Sequence, residues 1–135
     1  MNMNQFTQKT VEALQKAQSL AIEYQHMQVE QEHLMAALLE DRNGLISQLL
    51  QKMGLNVDGL RKAVTDSLGR IPRVSGPGRE ADKVYISQDV EKALVEAESR
   101  AKQMKDEYLS VEHVWLGICA KPSSRVQEIL RTFNY

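Results

Sequence analysis

The sequence predicts an all-α domain in which one helical unit occurs twice, the two copies being related by a pseudo-twofold axis. The first observation is a repeated motif, since the series Ala13, Leu14, Ala17, Ser19, Ala21 returns as Ala93, Leu94, Ala97, Ser99, Ala101, an offset of 93 − 13 = 80. The second is that Glu32-His33-Leu34 returns at the same offset as Glu112-His113-Val114. The segments 6–53 and 86–133 align without a gap, and such internal repetition is typical of one domain built from a duplicated unit.

Four helices are predicted in the first copy. Apolar residues recur at steps of three and four over 6–24, and Thr7 is the expected N-cap. Further helices are expected at 31–40, at 45–52 and from 56 or 57 to 68. Residues 41–44 have the composition of a turn, and Gly54 is a natural stop for the third helix.

Residues 69–84 interrupt the helical pattern with Pro72 and the run Gly76-Pro77-Gly78, so they are interpreted as a connector inside the domain. Helices are then expected from Ser87, the N-cap, to about 105, over 111–120 behind Ser110, and from near Pro122 to 133. The second copy is therefore shorter by one helix. The predicted organisation is a single domain over 1–135, with repeat one at 5–68 and repeat two at 85–133.

Small residues mark one stripe on each long helix. The ladders Ala13-Ala17-Ala21 and Ala93-Ala97-Ala101 leave a shallow surface on which another helix can approach closely. They predict that the two long helices lie near each other at the centre of the domain.

Composition excludes several classes of function. The chain has 135 residues and a formal net charge of −1, so it offers no general attraction to nucleic acid or to an anionic membrane. Cys119 is the sole cysteine, which rules out an intrachain disulfide and argues against a structural zinc site. The sequence has neither a signal peptide nor an apolar run of membrane-spanning length, and a cytoplasmic location is expected.

The sequence predicts no catalytic centre, metal or cofactor. It contains no GxxxxGK[ST], GxGxxG or GxSxG motif, and His26, His33, His113 and Cys119 are not spaced as HExxH or CxxC. A carboxylate pair among the 18 acidic residues remains open. Glu32 and Glu112 are interpreted as first-turn carboxylates that stabilise the helix dipole, by about 0.3–1 kcal/mol each. The alternative is that one of them contacts a ligand at the edge of a groove.

The remaining candidate is an apolar surface. One apolar series runs along the start of repeat two and its long helix, and most of it is expected in the core: Val84, Tyr85, Ile86, Val90, Leu94, Met104, Tyr108 and Leu109. A groove where Phe6 and Thr7 approach this series could bind an extended apolar peptide.

The repeated motifs resemble the Clp N-terminal domain, which heads the Clp AAA+ unfoldases. The resemblance covers about residues 5–133 and rests on Gln5-Phe6-Thr7, the two alanine series, and Glu32-His33-Leu34 followed by Ala37-Leu38-Leu39. The connector 68–76 and Ser87-Gln88-Asp89 look like the ClpB branch of the family in particular.

The resemblance implies two four-helix repeats and the role of N-terminal module in a hexameric disaggregase. That module would capture unfolded or aggregated polypeptide and help to pass it to the ATP-driven pore, with ATP bound by other modules. Thr7, Asp106 and Glu112 match positions that affect substrate handling in ClpB relatives. With Phe6, Tyr85, Leu94, Tyr108 and Leu109, they make up the predicted polypeptide-binding residues.

Three alternatives remain open. A ClpA/ClpC-type N domain would dock adaptor proteins, or a co-chaperone, for a protease. A helical scaffold would only position other domains. A hydrolase is the fourth hypothesis, and the missing motifs argue against it.

Overall fold

The computed structural model describes residues 3–74 and 84–135, and over these residues the domain is all-α, as predicted. A 3₁₀ turn at Met3–Gln5 precedes the first helix. The remaining elements are, in chain order, α1 (Gln8–Glu23), β1 (Gln28–Val29), α2 (Gln31–Leu39), α3 (Leu45–Lys52), α4 (Val57–Arg70), β2 (Tyr85–Ile86), α5 (Gln88–Gln103), α6 (Val111–Ala120) and α7 (Ser124–Thr132). The described residues thus hold four helices of repeat one and three of repeat two.

The two long helices begin at the predicted caps. The Thr7 hydroxyl accepts the backbone N–H of Thr10 at 3.2 Å, and the Ser87 hydroxyl accepts that of Val90 at 3.1 Å. Gly54 has a φ of +83° just after α3, the left-handed conformation that glycine adopts without strain. These local predictions are confirmed.

The pseudo-twofold relation is visible in crosswise backbone pairing. We call two residues 80 positions apart mates, so Phe6 and Ile86 are mates, as are Val29 and Leu109. Val29 lies opposite Ile86 in the parallel β1–β2 pair, and Leu109 lies opposite Phe6 in a parallel bridge. The start of each repeat therefore pairs with the middle of the other.

The turns after the long helices repeat the same relation. Gln25 and its mate Lys105 both adopt the left-handed conformation, at φ 58° and 59°. The next residue donates its backbone N–H to the long helix in both copies, at 2.9 Å from His26 to Ala21 and from Asp106 to Ala101. The two copies thus share backbone geometry where their side chains differ.

The alanine ladders bring each long helix close to the second helix of its own repeat. A Cβ atom on Gly117 of α6 would overlap the carbonyl oxygen of Ala93 and crowd the backbone of Ala97. Likewise α1 packs chiefly on α2. Each small-residue stripe is therefore used within its own repeat. The two long helices lie near each other, as predicted, but on either side of a groove that both of them line.

Polar side chains join the two repeats. The buried amide of Gln31, on α2, donates to the carbonyl oxygens of Asp89 and Lys121 at 2.9 Å and accepts the backbone N–H of Ser123 at 2.8 Å. All three partners belong to repeat two. Asp89 lies at the start of α5 and Lys121 directly follows α6, so one side chain of repeat one is bonded to both ends of the α5–α6 pair.

The predicted connector starts later than expected, since α4 continues to Arg70. Val74 donates its backbone N–H to the carbonyl of Gln25 at 2.7 Å, which ties this end to the turn after α1. The run Gly76-Pro77-Gly78 lies outside the described residues. None of the described helices combines the length and the apolar character needed to cross a membrane.

Candidate functional site

An apolar groove of about 380 Å³ lies between the two repeats. We call it the inter-repeat groove. Its lining comes from α1, the two short strands and α5: Phe6, Val11, Leu14, Gln15, Gln18, Val29, Val84, Ile86 and Leu94. Two pairs of mates are among these residues, Phe6 with Ile86 and Leu14 with Leu94, so the groove lies on the pseudo-twofold axis.

The structure places two of the predicted apolar residues, Phe6 and Leu94, in the lining of this groove. Leu109 is buried and pairs with Phe6, so it supports the groove from beneath. Tyr85 is 78% exposed and precedes Ile86, and Tyr108 is 57% exposed and precedes Leu109. Leu94 lies on α5, and the other four residues lie at or next to the two crosswise strand pairs.

The expectation that most of the apolar series lies in the core is wrong for half of it. Four of its members are exposed: Tyr85, Ile86, Met104 and Tyr108. Two of these, Tyr85 and Ile86, form β2, which among the described residues pairs with β1 alone. The result is apolar surface beside the groove, a common mark of an interaction site.

Sequence reasoning missed several lining residues, among them Val11, Gln15 and Gln18 of α1. Ile86 belongs to the predicted apolar series but not to the predicted polypeptide-binding residues, and the repeat offset, which makes it the mate of Phe6, could have added it. The α1 residues gave no such signal, since an exposed helical face looks the same whether or not another element lies beside it.

Thr7 stands next to the groove but is engaged in structure. Its hydroxyl lies 2.8 Å from that of Thr10 and caps α1. Its backbone N–H donates to the carbonyl of Leu109 at 3.0 Å, and the Thr10 hydroxyl donates to the same carbonyl at 3.0 Å. Thr7 therefore joins the start of α1 to the strand residue opposite Phe6.

Asp106 acts on a buried histidine. The backbone N–H of Ser110 donates to His113 Nδ1 at 2.9 Å, so Nδ1 carries no proton and Nε2–H donates to the Asp106 carboxylate at 2.8 Å. Asp106 thereby fixes the orientation of the side chain that caps α6. This arrangement makes Asp106 a positioning residue for the start of the helix that carries Glu112.

Repeat one holds the corresponding histidine differently. Glu30 N–H donates to His33 Nδ1 at 2.8 Å, and His33 Nε2 lies 2.7 Å from Nδ1 of His26, the mate of Asp106. Burial, and then the neighbouring His26, lower the pKa of His33 to about 4. His33 is therefore neutral at physiological pH.

Glu112 lies away from the inter-repeat groove. It is half-buried in a second cavity of about 310 Å³ between α3 and α6, lined by Ile46, Leu49, Leu50, Lys52, Met53, Glu112, Trp115, Leu116 and Tyr135. Its mate Glu32 is fully buried and accepts hydrogen bonds from Arg125 Nε at 2.6 Å and from Ser67 at 3.1 Å, a pairing that raises the pKa of Arg125. The predicted polypeptide-binding residues therefore do not form one site, because Phe6 and Leu94 line the inter-repeat groove and Glu112 lines the second cavity.

The described residues offer neither a cluster of metal ligands nor an activated thiol. Within 3–74 and 84–135, no group of three His, Cys, Asp or Glu side chains could hold a metal ion. Burial raises the pKa of Cys119 to about 11, so its thiol is protonated at neutral pH and is a poor nucleophile.

Comparison with known proteins gives a consistent result. The family described as the Clp repeat (R) N-terminal domain matches residues 5–133. The chain is 37% identical over 135 residues to a protein named Chaperone protein ClpB from Nitratidesulfovibrio vulgaris, and 41% identical over 116 residues to one from Bacillus anthracis. These alignments cover 99% and 86% of this chain but only 16% and 13% of the relatives, so the chain spans a small part of their length.

Solved structures share the fold. The Hsp104 N-terminal domain from Candida albicans superposes with a TM-score of 0.83 at 20% identity, covering 96% of this chain and 81% of that one. A complex of the ClpV N-domain with VipB peptide gives a TM-score of 0.73 at 20% identity, covering 98% and 81%. The N-terminal domain of ClpD from Arabidopsis thaliana gives 0.73 at 18% identity, covering 99% and 88%.

Proposed function

Because this chain belongs to the Clp repeat N-terminal domain family, we propose that it is the polypeptide-engaging N-terminal module of a ClpB-type AAA+ disaggregase. The domain binds an unfolded or aggregated polypeptide and helps to deliver it to the ATP-driven pore of the hexamer. The observation that carries this proposal is the apolar inter-repeat groove. The N-domain of ClpV, which shares the fold, is known in complex with a peptide, and this supports the proposal.

The groove suits weak and reversible capture. Burial of apolar surface contributes about 25 cal/mol per Å² and is not directional, so many apolar sequences can bind. Association and ordering of a flexible segment cost several kcal/mol, which leaves affinities on the order of micromolar to millimolar for so small a groove. Such binding permits release into a pore, and it needs neither a cofactor in this domain nor a group with a shifted pKa.

Titration of the ¹⁵N-labelled domain with a reduced and alkylated, permanently unfolded protein tests this function. We expect shifts of the amide signals around Phe6, Leu14 and Ile86. Replacing Ile86, which is exposed at the groove, by Asp should weaken binding about tenfold or more. Val95→Asp is the matched control, since Val95 is exposed on α5 outside the lining and should change the Kd less than about twofold. Unmoved groove signals in the wild-type titration would rule the function out.

Substitutions at Thr7 distinguish direct contact with the polypeptide from capping of α1. Thr7→Ala should lower the free energy of unfolding by about 1 kcal/mol because α1 loses its cap, and it should weaken binding by loosening the groove. Thr7→Ser keeps the hydroxyl and should retain both the stability and the binding of the wild type. Urea unfolding and the same titration measure the two effects. If Thr7→Ala weakened binding with no change in stability, the hydroxyl would contact polypeptide directly.

The second cavity favours an alternative partner surface. Leu49 and Met53 are exposed beside Glu112 and Lys52, which provides an apolar patch with charged edges separate from the groove. An adaptor or co-chaperone would dock there. Under this alternative, Glu112→Ala leaves binding of the unfolded protein unchanged, whereas a loss as large as that of Ile86→Asp would assign the second cavity to polypeptide as well.

A further inference from the structure

We infer that the inter-repeat groove accepts an extended apolar segment in either chain direction. This inference rests on the proposed function of the groove as a polypeptide site. It follows from where the pseudo-twofold axis passes and from the backbone groups that flank it.

Two pairs of mates are among the residues that line the groove, and we call these four residues its floor. Phe6 and Ile86 lie on opposite sides of the axis, and so do Leu14 and Leu94. A half-turn about this axis exchanges the members of each pair and reverses the direction of a chain that lies across it. Because apolar contact has no direction along the backbone, the reversed segment keeps equivalent contacts with the floor.

The backbone beside the groove also permits either chain direction of the bound segment. Leu109 donates to the carbonyl of Gln5 at 2.8 Å and accepts the N–H of Thr7 at 3.0 Å, so Phe6 turns its own N–H and C=O away from Leu109. Ile86 has the same place opposite Val29, which accepts the N–H of Ser87 at 2.9 Å. Within residues 3–74 and 84–135, each mate thus presents a strand edge, and such an edge pairs with a parallel or an antiparallel neighbour.

The rim of the groove is not symmetric. Val11 and Gln15 of α1 line it, whereas their mates Glu91 and Val95 on α5 do not. Val11 is apolar, and the amide of Gln15 both donates and accepts hydrogen bonds, so neither side chain requires one N-to-C direction of the bound segment. A segment with a palindromic sequence therefore has no preferred orientation.

Disulfide trapping tests the inference on the whole domain. Gln18 lines one end of the groove and its mate Glu98 does not, so a cysteine at 18 marks that end. In a Cys119→Ser background, Gln18→Cys is mixed, in a buffer that contains oxidised glutathione as the oxidant, with a capped palindromic peptide of alternating leucine and serine that carries a cysteine at either its N-terminal or its C-terminal end. Mass spectrometry measures the yield, and Lys62→Cys, on the exposed face of α4, gives the background.

Both peptides should be trapped at position 18, with yields within about threefold of each other. Trapping of only one of them would overturn the inference and leave the proposed function standing. Trapping of neither above the Lys62→Cys background would remove the proposed function, and the inference with it.

Discussion

At the scale of single residues, His26 and its mate Asp106 show how one geometry is kept with two chemistries. Each lies beside the Nε2 atom of a buried histidine, at 2.7 Å from His33 and 2.8 Å from His113. In both copies a backbone N–H holds the histidine Nδ1. A histidine ring nitrogen thus accepts the backbone N–H at the start of α2 and of α6, where a common capping box uses a Glu or Gln side chain.

This geometry predicts that acid weakens repeat one. His33 has a pKa of about 4 in the folded domain against an ordinary value of 6.5. Between these two pH values the unfolded chain binds a proton at His33 and the folded domain does not. The contribution of neutral His33 to the free energy of unfolding is therefore complete above pH 6.5 and is lost as the pH falls toward 4. Between pH 7 and 5 the free energy of unfolding should fall by roughly 1–2 kcal/mol from this residue.

Urea unfolding at pH 7, 6 and 5 measures this loss by circular dichroism. The control is His33→Asn, whose amide oxygen can still accept the Glu30 N–H but does not titrate. The variant should show a flatter dependence on pH. Equal slopes for the wild type and the variant would contradict the assignment.

At the scale of helices, the contact between α5 and α6 depends on Gly117. The hydrogen of this glycine faces the carbonyl oxygen of Ala93, and no larger side chain fits without moving backbone. Its mate in repeat one is Ala37, so α1 and α2 tolerate a methyl group where α5 and α6 do not. The closer packing of α5 on α6 therefore depends on this one glycine.

Gly117→Ala should accordingly destabilise the domain by about 1–3 kcal/mol, because α5 and α6 must separate. Gly69→Ala is the matched control: Gly69 is also helical, nothing lies near its would-be Cβ, and the change should stabilise α4 by up to about 1 kcal/mol. Thermal unfolding of both variants gives the comparison. A neutral Gly117→Ala would show that the two helices are less closely packed.

At the scale of the whole molecule, a few polar contacts make the two repeats one body. Gln31 reaches across to three backbone groups of repeat two, and the buried Glu32 pairs with Arg125 of α7. The crosswise strand pairs add backbone bonds between the copies. The groove exists only while these contacts hold, because its two sides belong to different repeats.

Gln31→Leu tests this coupling. The substitution removes three hydrogen bonds at a buried site, and the free energy of unfolding should fall by about 2–4 kcal/mol. Gln48→Leu, which removes one exposed hydrogen bond to Asn43, should change it by less than about 0.5 kcal/mol. Denaturant titration of both variants decides the matter, and near-equal stabilities would show that the repeats are held together by other contacts.

Sequence reasoning reached the features that depend on neighbouring residues. The caps at Thr7 and Ser87 and the stop at Gly54 follow from local hydrogen bonding and backbone freedom, and the all-α class follows from periodicity. It did not identify the packing partner of each alanine ladder, because a small-residue stripe indicates that a helix comes close and does not indicate which helix. For the candidate site, the sequence predicted a groove between Phe6 and the apolar series of repeat two, and Phe6 and Leu94 line the groove of the structure, whereas the exposed face of α1 gave no sign that it would line the same groove.

By itself, the sequence determined the duplicated helical unit and the absence of the familiar catalytic motifs, since both are written in residue order. Only the tertiary structure decided that the apolar residues at the axis form a groove and that Glu112 lies in another cavity. The physical reason is that a groove is the space between surfaces brought together by long-range pairing, here Phe6 with Leu109 and Val29 with Ile86. No single segment of the chain encodes that space.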